Sequence, residues 1–597
     1  MDDPGYVQQP ADGYRGSRAP ARAPSGTRWE CESPWSDLSA LVRCCEQVLE
    51  SAYDRRRWAP CGRCCRRQTE EASHGERSYI KADFRGRVDG PGNVMTARDS
   101  TEKERKYDPR LRSRIPELTA IPGVDHVGEA SETLLEAVYY DTGTLELAAR
   151  GMTLRRRTGG SDPGWHLKLP VSPDSLTEIQ NPLGQPDHVP AELLDHLAAI
   201  TRGRELSPVA RLSTRRSTYP LYGADGKHLA DFTDDDVHAV PLGGLGPETQ
   251  WHEWEFELVR ATPKLFSAAK PALKTAGAVP SAHPSKLARA LDGSWPEAKA
   301  TRTNPARKNG PVRDVVTSYV GAQIRQLLTY DPGVRTGAPD SVHQMRSAAR
   351  RTRSVLRTYR TLFDRETGAG LERELQWLGR VLGRPRDAEV IRERILAHLN
   401  NLPDAEAASP ALGQLEHELD TTYNAGYQRA LTTLNSQRYY RLLDALERVR
   451  DTPPTKAKAA RKARKSSARL VNKAARRLDK AHQAAKKSQG TTGHDTALHQ
   501  VRKDAKRLRH AAESAAAIHG KRARTLEKTS HRIQRVLGDH QDSVVARELL
   551  HRLAAAPDMA AGTAAVYQAL IEQETETAAN AEAAYRNLRK KARGRRI

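Results

Sequence analysis

The chain has 597 residues, 38% of them hydrophobic and 29% charged, and a net charge of +23 at pH 7. That length allows two independent cores. The excess of cations points to polyanionic partners, and no apolar run approaches the roughly 18 residues that a membrane-crossing helix needs.

Residues 1–94 hold all six cysteines, Cys31, Cys44, Cys45, Cys61, Cys64 and Cys65. Cys61-x-x-Cys64 resembles half of a zinc knuckle, but no second pair at matching spacing completes it. The Gly-, Pro- and Arg-rich composition predicts either a disordered arm or an extension outside the folded protein, with Met95 opening the first domain. The N-terminus lacks the basic-then-apolar pattern of a secretory signal. Nothing after residue 94 requires an oxidising compartment, and the expectation is a cytoplasmic protein.

From residue 95 the chain reads as short strands of alternating charge. Glu102-Lys103-Glu104-Arg105-Lys106 places Glu102, Glu104 and Lys106 on one face of an extended strand. Arg155 and Arg157 share a face in the next, and so do His166 and Lys168 in Trp165–Leu169. Arg211 pairs with Arg215, and Asp234 with Asp236. Glu253, Glu255 and Glu257 alternate with Trp254, Phe256 and Leu258. A solvated face is the ordinary meaning of one such strand. Here the polar face is almost wholly ionic, and acidic and basic strands occur together. That combination suits a closed barrel whose lumen holds an anion and a cation. Glutamates supply hard oxygen ligands for Mg²⁺ or Mn²⁺, and Arg and Lys clamp phosphates, so a metal-bound triphosphate fits the pattern.

Residues from about 98 to 293 resemble a CYTH domain, the triphosphate tunnel metalloenzyme fold. The resemblance rests on Glu102-x-Glu104-x-Lys106, the Arg155 and Arg157 pair, Lys168, Arg211 and Arg215, Asp236, the Glu253-x-Glu255-x-Glu257 strand and Ser285–Leu291. It implies an antiparallel eight-stranded β tunnel barrel in which a divalent metal assists hydrolysis of a triphosphate. Family members act on inorganic triphosphate or thiamine triphosphate, or cyclise ATP. The resemblance assigns Glu102, Glu104 and Lys106 to catalysis. It gives Lys106, Arg155, Arg157, Lys168, Arg211 and Arg215 to substrate binding, and Glu102, Glu104, Asp236, Glu255 and Glu257 to the metal.

After a linker over residues 294–311, Ala, Leu, Arg and Glu dominate with helical spacing. His343, Arg346, Arg350, Arg353 and Arg357 form one basic stripe, beside an apolar one of Met345, Ala349, Leu356 and Tyr359. His499, Arg502, Lys506 and Arg509 repeat the spacing. Each block is followed by Leu-Gly and an acid, Asp387 and then Asp542. The pattern predicts an all-α domain over 312–597 built from two four-helix repeats, about 312–450 and 465–597. The whole chain is thus a multidomain α+β protein.

This duplicated pattern resembles the CHAD domain, an all-helical module that binds inorganic polyphosphate. The resemblance implies phosphate contacts from His343, Arg346, Arg350, Arg353, His499, Arg502, Lys506 and Arg509, with Asp387 and Asp542 orienting the arginines. Residues 301–597 carry a net charge of about +26, and between Lys456 and Gly490 the only acid is Asp479. Nucleic acid is the rival polyanion. Single-strand binders interleave aromatic rings for stacking, but no Phe, Trp or Tyr lies between Tyr440 and Tyr567. The expected partners are therefore triphosphate and polyphosphate, without nucleic acid or membrane, and the expected location includes polyphosphate granules.

Overall fold

The computed structural model describes residues 98–597 except 111–112, 173–174, 299–302, 400–404, 558, 593 and 595. The cysteines and the N-terminal extension lie outside the described residues.

The strands are β1 (Arg98–Glu102), β2 (Glu104–Asp108), β3 (His126–Val127), β4 (Ser131–Asp141), β5 (Thr153–Thr158), β6 (Gly164–Ser172) and β7 (Ser175–Asn181). Then follow β8 (Ser207–Tyr222), β9 (His228–Pro241), β10 (Thr249–Leu258) and β11 (Val279–Pro280). The antiparallel order β1-β7-β6-β5-β4-β8-β9-β10-β2 starts and ends on neighbouring segments of chain. β1 pairs β7, β2 pairs β10, and the carbonyl of Lys103 between them accepts from the Leu258 amide at 2.9 Å. One strand interrupted at Lys103 therefore joins both edges, which removes the open edge that a sheet otherwise exposes. Counted that way, eight long strands form the barrel, with β3 and β11 as two-residue additions.

Two helices cover apolar patches on the outer wall of the barrel, and most of its ionic side chains point inward. Helix α1 (Ala191–Thr201) lays Leu193, Leu197 and Ile200 on Leu154, Trp165, Leu167 and Ile179. Helix α2 (Lys264–Thr275) covers Phe232, Trp254 and Phe256 with Leu265, Phe266 and Leu273. Burial of each such side chain contributes roughly 2 kcal/mol, which frees the opposite face of each strand to carry charge. The short helix α3 (Lys286–Leu291) is capped by Ser285 Oγ, which accepts from the Ala288 amide at 3.0 Å.

Ten helices follow among the described residues: α4 (Val312–Arg335), α5 (Ser341–Tyr359), α6 (Arg365–Val381), α7 (Gly383–Leu399), α8 (Ala405–Leu434), α9 (Gln437–Asp451), α10 (Ala463–Lys487), α11 (His494–Ser514), α12 (Ala516–Ala554) and α13 (Ala561–Ala592). α5 and α11 carry the two copies of the basic motif and pack on one another. The repeats also interlock: Ile391, Ile395 and Leu415 of α7 and α8 share a core with Leu550, Tyr567 and Leu570 of α12 and α13.

Barrel and helices meet through α1. Ala199 enters the helical core beside Tyr440, and Leu328 of α4 packs on the α1 cluster. Arg202, left-handed at φ 59° and buried, donates to Asp444 Oδ1 and Glu447 Oε2, both at 3.1 Å. Arg150 adds a second contact to Glu447 at 3.3 Å.

Candidate functional site

Strand alternation sends alternate side chains into a cavity of about 1200 Å³. Glu102, Glu104 and Lys106 line it from β1 and β2, and Arg155 and Arg157 from β5. Lys168 enters from β6, and Glu255 and Glu257 from β10. Thr133, Leu135 and Ala137 of β4 stand opposite Arg216, Thr214 and Leu212 of β8, and all six line the lumen.

That register corrects three expectations. Arg211 and Arg215 are exposed on the outer wall, and Arg216 takes the lumen position. Asp236 is also exposed, where it accepts from Gln250 Nε2 at 3.2 Å, while Asp235 is the buried, inward residue. A one-residue change of phase moves a side chain to the other wall. The runs Arg215-Arg216 and Asp234-Asp235-Asp236 leave that phase open in the sequence.

The ionic lining divides into two groups. In the first, Lys286 Nζ lies 2.8 Å from Asp235, 2.8 Å from Glu253 and 2.7 Å from Glu255. Arg216 binds both oxygens of Asp235 at 2.7 and 2.6 Å and reaches Glu255 at 2.5 Å; Lys106 pairs with Glu255 as well. Three acids thus meet three cations. Burial opposes ionisation of Glu255, but Lys106, Lys286 and Arg216 hold it well below the usual carboxylate range. Carboxylate oxygens of Asp235, Glu253 and Glu255 lie within 4.8 Å of one another, as a metal site requires. The Lys286 ammonium already stands among them and serves as their counter-ion.

The second group is short of cations. Lys168 bridges Glu102 at 2.5 Å and Glu178 at 3.9 Å, and Glu178 also meets His166 Nδ1 at 3.0 Å. Burial and the hydrogen bond to Glu178 push Glu102 up to about 8, against the pull of Lys168. Glu178 falls below the normal range despite burial, because His166, Lys168 and Glu102 all favour its charged form. Glu257 stands directly opposite Glu104 across β10 and β2, with no hydrogen bond or ion pair of its own among the described residues. Burial, then Glu104 and Glu255, raise it to about 7, although Lys168 and Arg216 act in the other direction. Glu104 itself pairs with Lys106 at 3.3 Å, so Glu257 is the member of the facing pair without a counter-ion, and a hard divalent cation beside it would supply one. Glu102, held by Lys168, Glu104, held by Lys106, and Glu257 offer a second group of hard oxygen donors in the lumen, while Asp235, Glu253 and Glu255 are the group that meets the spacing of a metal site.

Sequence reasoning missed Arg216, Asp235, Glu178 and Lys286 as lumen residues. Lys286 was visible within Ser285–Leu291, where Ser285 reads as an N-cap that places Lys286 in the first helical turn.

A second charged site lies between α5 and α11. Arg346 Nη1 pairs with Asp387 at 2.9 Å. A Cβ on Gly383 would sit 3.3 Å from Arg346 Nη2, and one on Gly538 would sit 3.6 Å from Arg502 Nε. The repeated Leu-Gly thus leaves room for the paired guanidiniums against α7 and α12. Asp542 is raised by burial, with Arg502 the strongest opposing charge.

The cations here outnumber their partners. Burial, then Arg346 and Arg502, bring Arg350 down to about 10, and burial among Arg350, Arg502 and Arg346 depresses Lys506 well below its normal value. His343 and His499 are lowered by burial and neighbouring basic residues. The Nε atoms of Arg346, Arg350, Arg353 and Arg502 and Nδ1 of His499 are buried without a hydrogen-bond partner among the described residues. Unpaired buried donors are costly, and this surplus of cations suits a multivalent anion.

The CYTH domain family matches residues 100–290, and the CHAD domain family matches residues 318–551. Uncharacterised proteins from two strains of Mycobacterium tuberculosis, CDC 1551 and H37Rv, are each 40% identical over 513 residues, spanning 82% of this chain and 97% of theirs. Among solved structures, PptA from Streptomyces chartreusis is 23% identical with a TM-score of 0.41, covering 47% of this chain and 99% of its own. The CHAD domain from the plant Ricinus communis is 24% identical with a TM-score of 0.39, covering 48% of this chain and 95% of its own. No helix among the described residues is long and apolar enough to cross a membrane. With both domains matched in order and close relatives aligned across most of its length, the chain belongs to the proteins that join a CYTH domain to a CHAD domain.

Proposed function

We propose that the tunnel hydrolyses a triphosphate, inorganic tripolyphosphate being favoured, with Mg²⁺ or Mn²⁺, and that the helical domain binds inorganic polyphosphate. One observation carries the first part. Glu257 faces Glu104 across β10 and β2 and has no cation of its own among the described residues, in a lumen that also holds Lys106, Arg155, Arg157, Lys168 and Arg216. Glu102, Glu104 and Glu257 would hold the metal, which when bound supplies charge neutralisation and a more acidic water. Lys106, Arg155, Arg157, Lys168 and Arg216 would grip the phosphoryl oxygens. Phosphoryl transfer spreads negative charge over those oxygens, and cations fixed in advance stabilise it without reorganising. Thr153, Thr214 and Thr233 fill the positions between the ionic residues, so recognition falls on phosphate more than on a base.

Phosphate release from tripolyphosphate, thiamine triphosphate and ATP, with one metal at a time, tests this reading. Glu104→Gln should abolish metal-dependent release. Normal release by that variant, once shown to be folded, refutes the assignment. Saturable binding with no release would make the tunnel a phosphate-chain binder, and a cyclic product from ATP would make it a cyclase.

A further inference from the structure

The basic run at Lys456–Gly490 takes no part in the site between α5 and α11, yet α10 organises it. Lys462 at the N-cap, then Lys465, Arg469, Lys473, Arg476, Lys480 and Lys487, recur every three, four or seven residues, and all are exposed. At 100° per residue they stay on one line along the helix, over about 37 Å at 1.5 Å per residue. The opposite face is buried through Leu470, Val471, Ala474, Leu478, Ala481 and Ala485. No ion pair among the described residues involves any of the seven. Asp479, the single acid on α10, lies off the stripe and is taken by Arg596.

The stripe is continuous with the inner basic site. Arg477 on its flank binds the buried Asp504 of α11 at 2.9 Å, and Arg507 binds the same carboxylate oxygen at 2.6 Å. Arg507 in turn lies within electrostatic reach of Arg353 and Arg357 of α5. Arg507 and Arg477, which share the Asp504 carboxylate, thus lie between Arg353 and Arg357 and the surface of α10. A row of solvated point charges without aromatic rings can hold a flexible chain of phosphates, but gives bases nothing to stack on.

We propose that the exposed stripe of α10 is an outer track for inorganic polyphosphate, which a chain reaches only if it is long enough to leave the α5–α11 site over Arg507 and Arg477. This rests on the polyphosphate reading above and adds selection by chain length. The track raises affinity for long chains by turning a second encounter into an intramolecular one, and leaves short chains held by the inner site alone.

The test compares the full chain with an Arg469→Gln, Lys473→Gln, Arg476→Gln, Lys480→Gln variant, whose substitutions lie on the solvated face. Binding of short-chain polyphosphate, long-chain polyphosphate and duplex DNA is measured across a salt series. The proposal expects unchanged short-chain binding, long-chain affinity reduced roughly 30-fold at low salt, and a salt slope shallower by about 3. Equal long-chain affinity and slope in both proteins overturns it, and so does a loss larger for duplex DNA than for long polyphosphate. If wild type binds neither length of polyphosphate, the underlying reading fails. If it binds both with equal affinity, only the track fails.

Discussion

Glu257→Gln should stabilise the metal-free protein while removing its activity. In the folded state Glu257 titrates at about 7, against an ordinary value of 4.5, through burial beside Glu104 and Glu255. The folded value lies above the unfolded one, so the fold favours the protonated form. Its contribution is present in full below pH 4.5 and drains away as pH rises to 7. The difference corresponds to about 3 kcal/mol at pH 8. Glutamine keeps the shape without the charge. In urea titrations with chelator at pH 8, the variant should be more stable than wild type by about 2–3 kcal/mol, shrinking to under about 1 kcal/mol near pH 5. Saturating Mn²⁺ should stabilise wild type at pH 8 and leave the variant unmoved. A variant no more stable than wild type at pH 8, or one that responds equally to Mn²⁺, would refute the reasoning.

Lys286→Ala should cost on the order of 3–5 kcal/mol, because it strands Asp235, Glu253 and Glu255 without their ammonium; denaturation measures this, and added Mg²⁺ should recover part of it. Arg346→Ala with Arg350→Ala should weaken long-chain polyphosphate binding at least tenfold and leave tripolyphosphate turnover nearly unchanged, as paired binding and phosphate-release assays would show. Glu447→Ala should destabilise the junction by about 1–2 kcal/mol, since Arg202 and Arg150 lose a shared partner but keep Asp444 and Glu146. The readout is earlier proteolysis between barrel and bundle.

The barrel was legible because an ionic face alternating with Trp254, Phe256 and Leu258 has only one economical burial, with hydrocarbon outward under a helix and charge inward. Glu102, Glu104, Lys106, Arg155, Arg157, Lys168, Glu255 and Glu257 follow from that alternation alone. Arg216 and Asp235 did not, since strand phase within Arg215-Arg216 and Asp234–Asp236 is set by pairing with β4 and β10. Lys286 lies on a helix, where strand alternation says nothing. In the helical half the 3.6-residue period exposed both basic stripes. The interlocking of α7 and α8 with α12 and α13 depends on contacts some 150 residues apart, which local periodicity does not encode.

The most direct measurement is anomalous diffraction from Mn²⁺ in crystals grown with tripolyphosphate. A metal peak is expected within ligand distance of Glu104 and Glu257, with phosphoryl oxygens against Lys106, Arg155 and Lys168. A peak at Asp236 on the outer wall, with no phosphate inside the barrel, would contradict it.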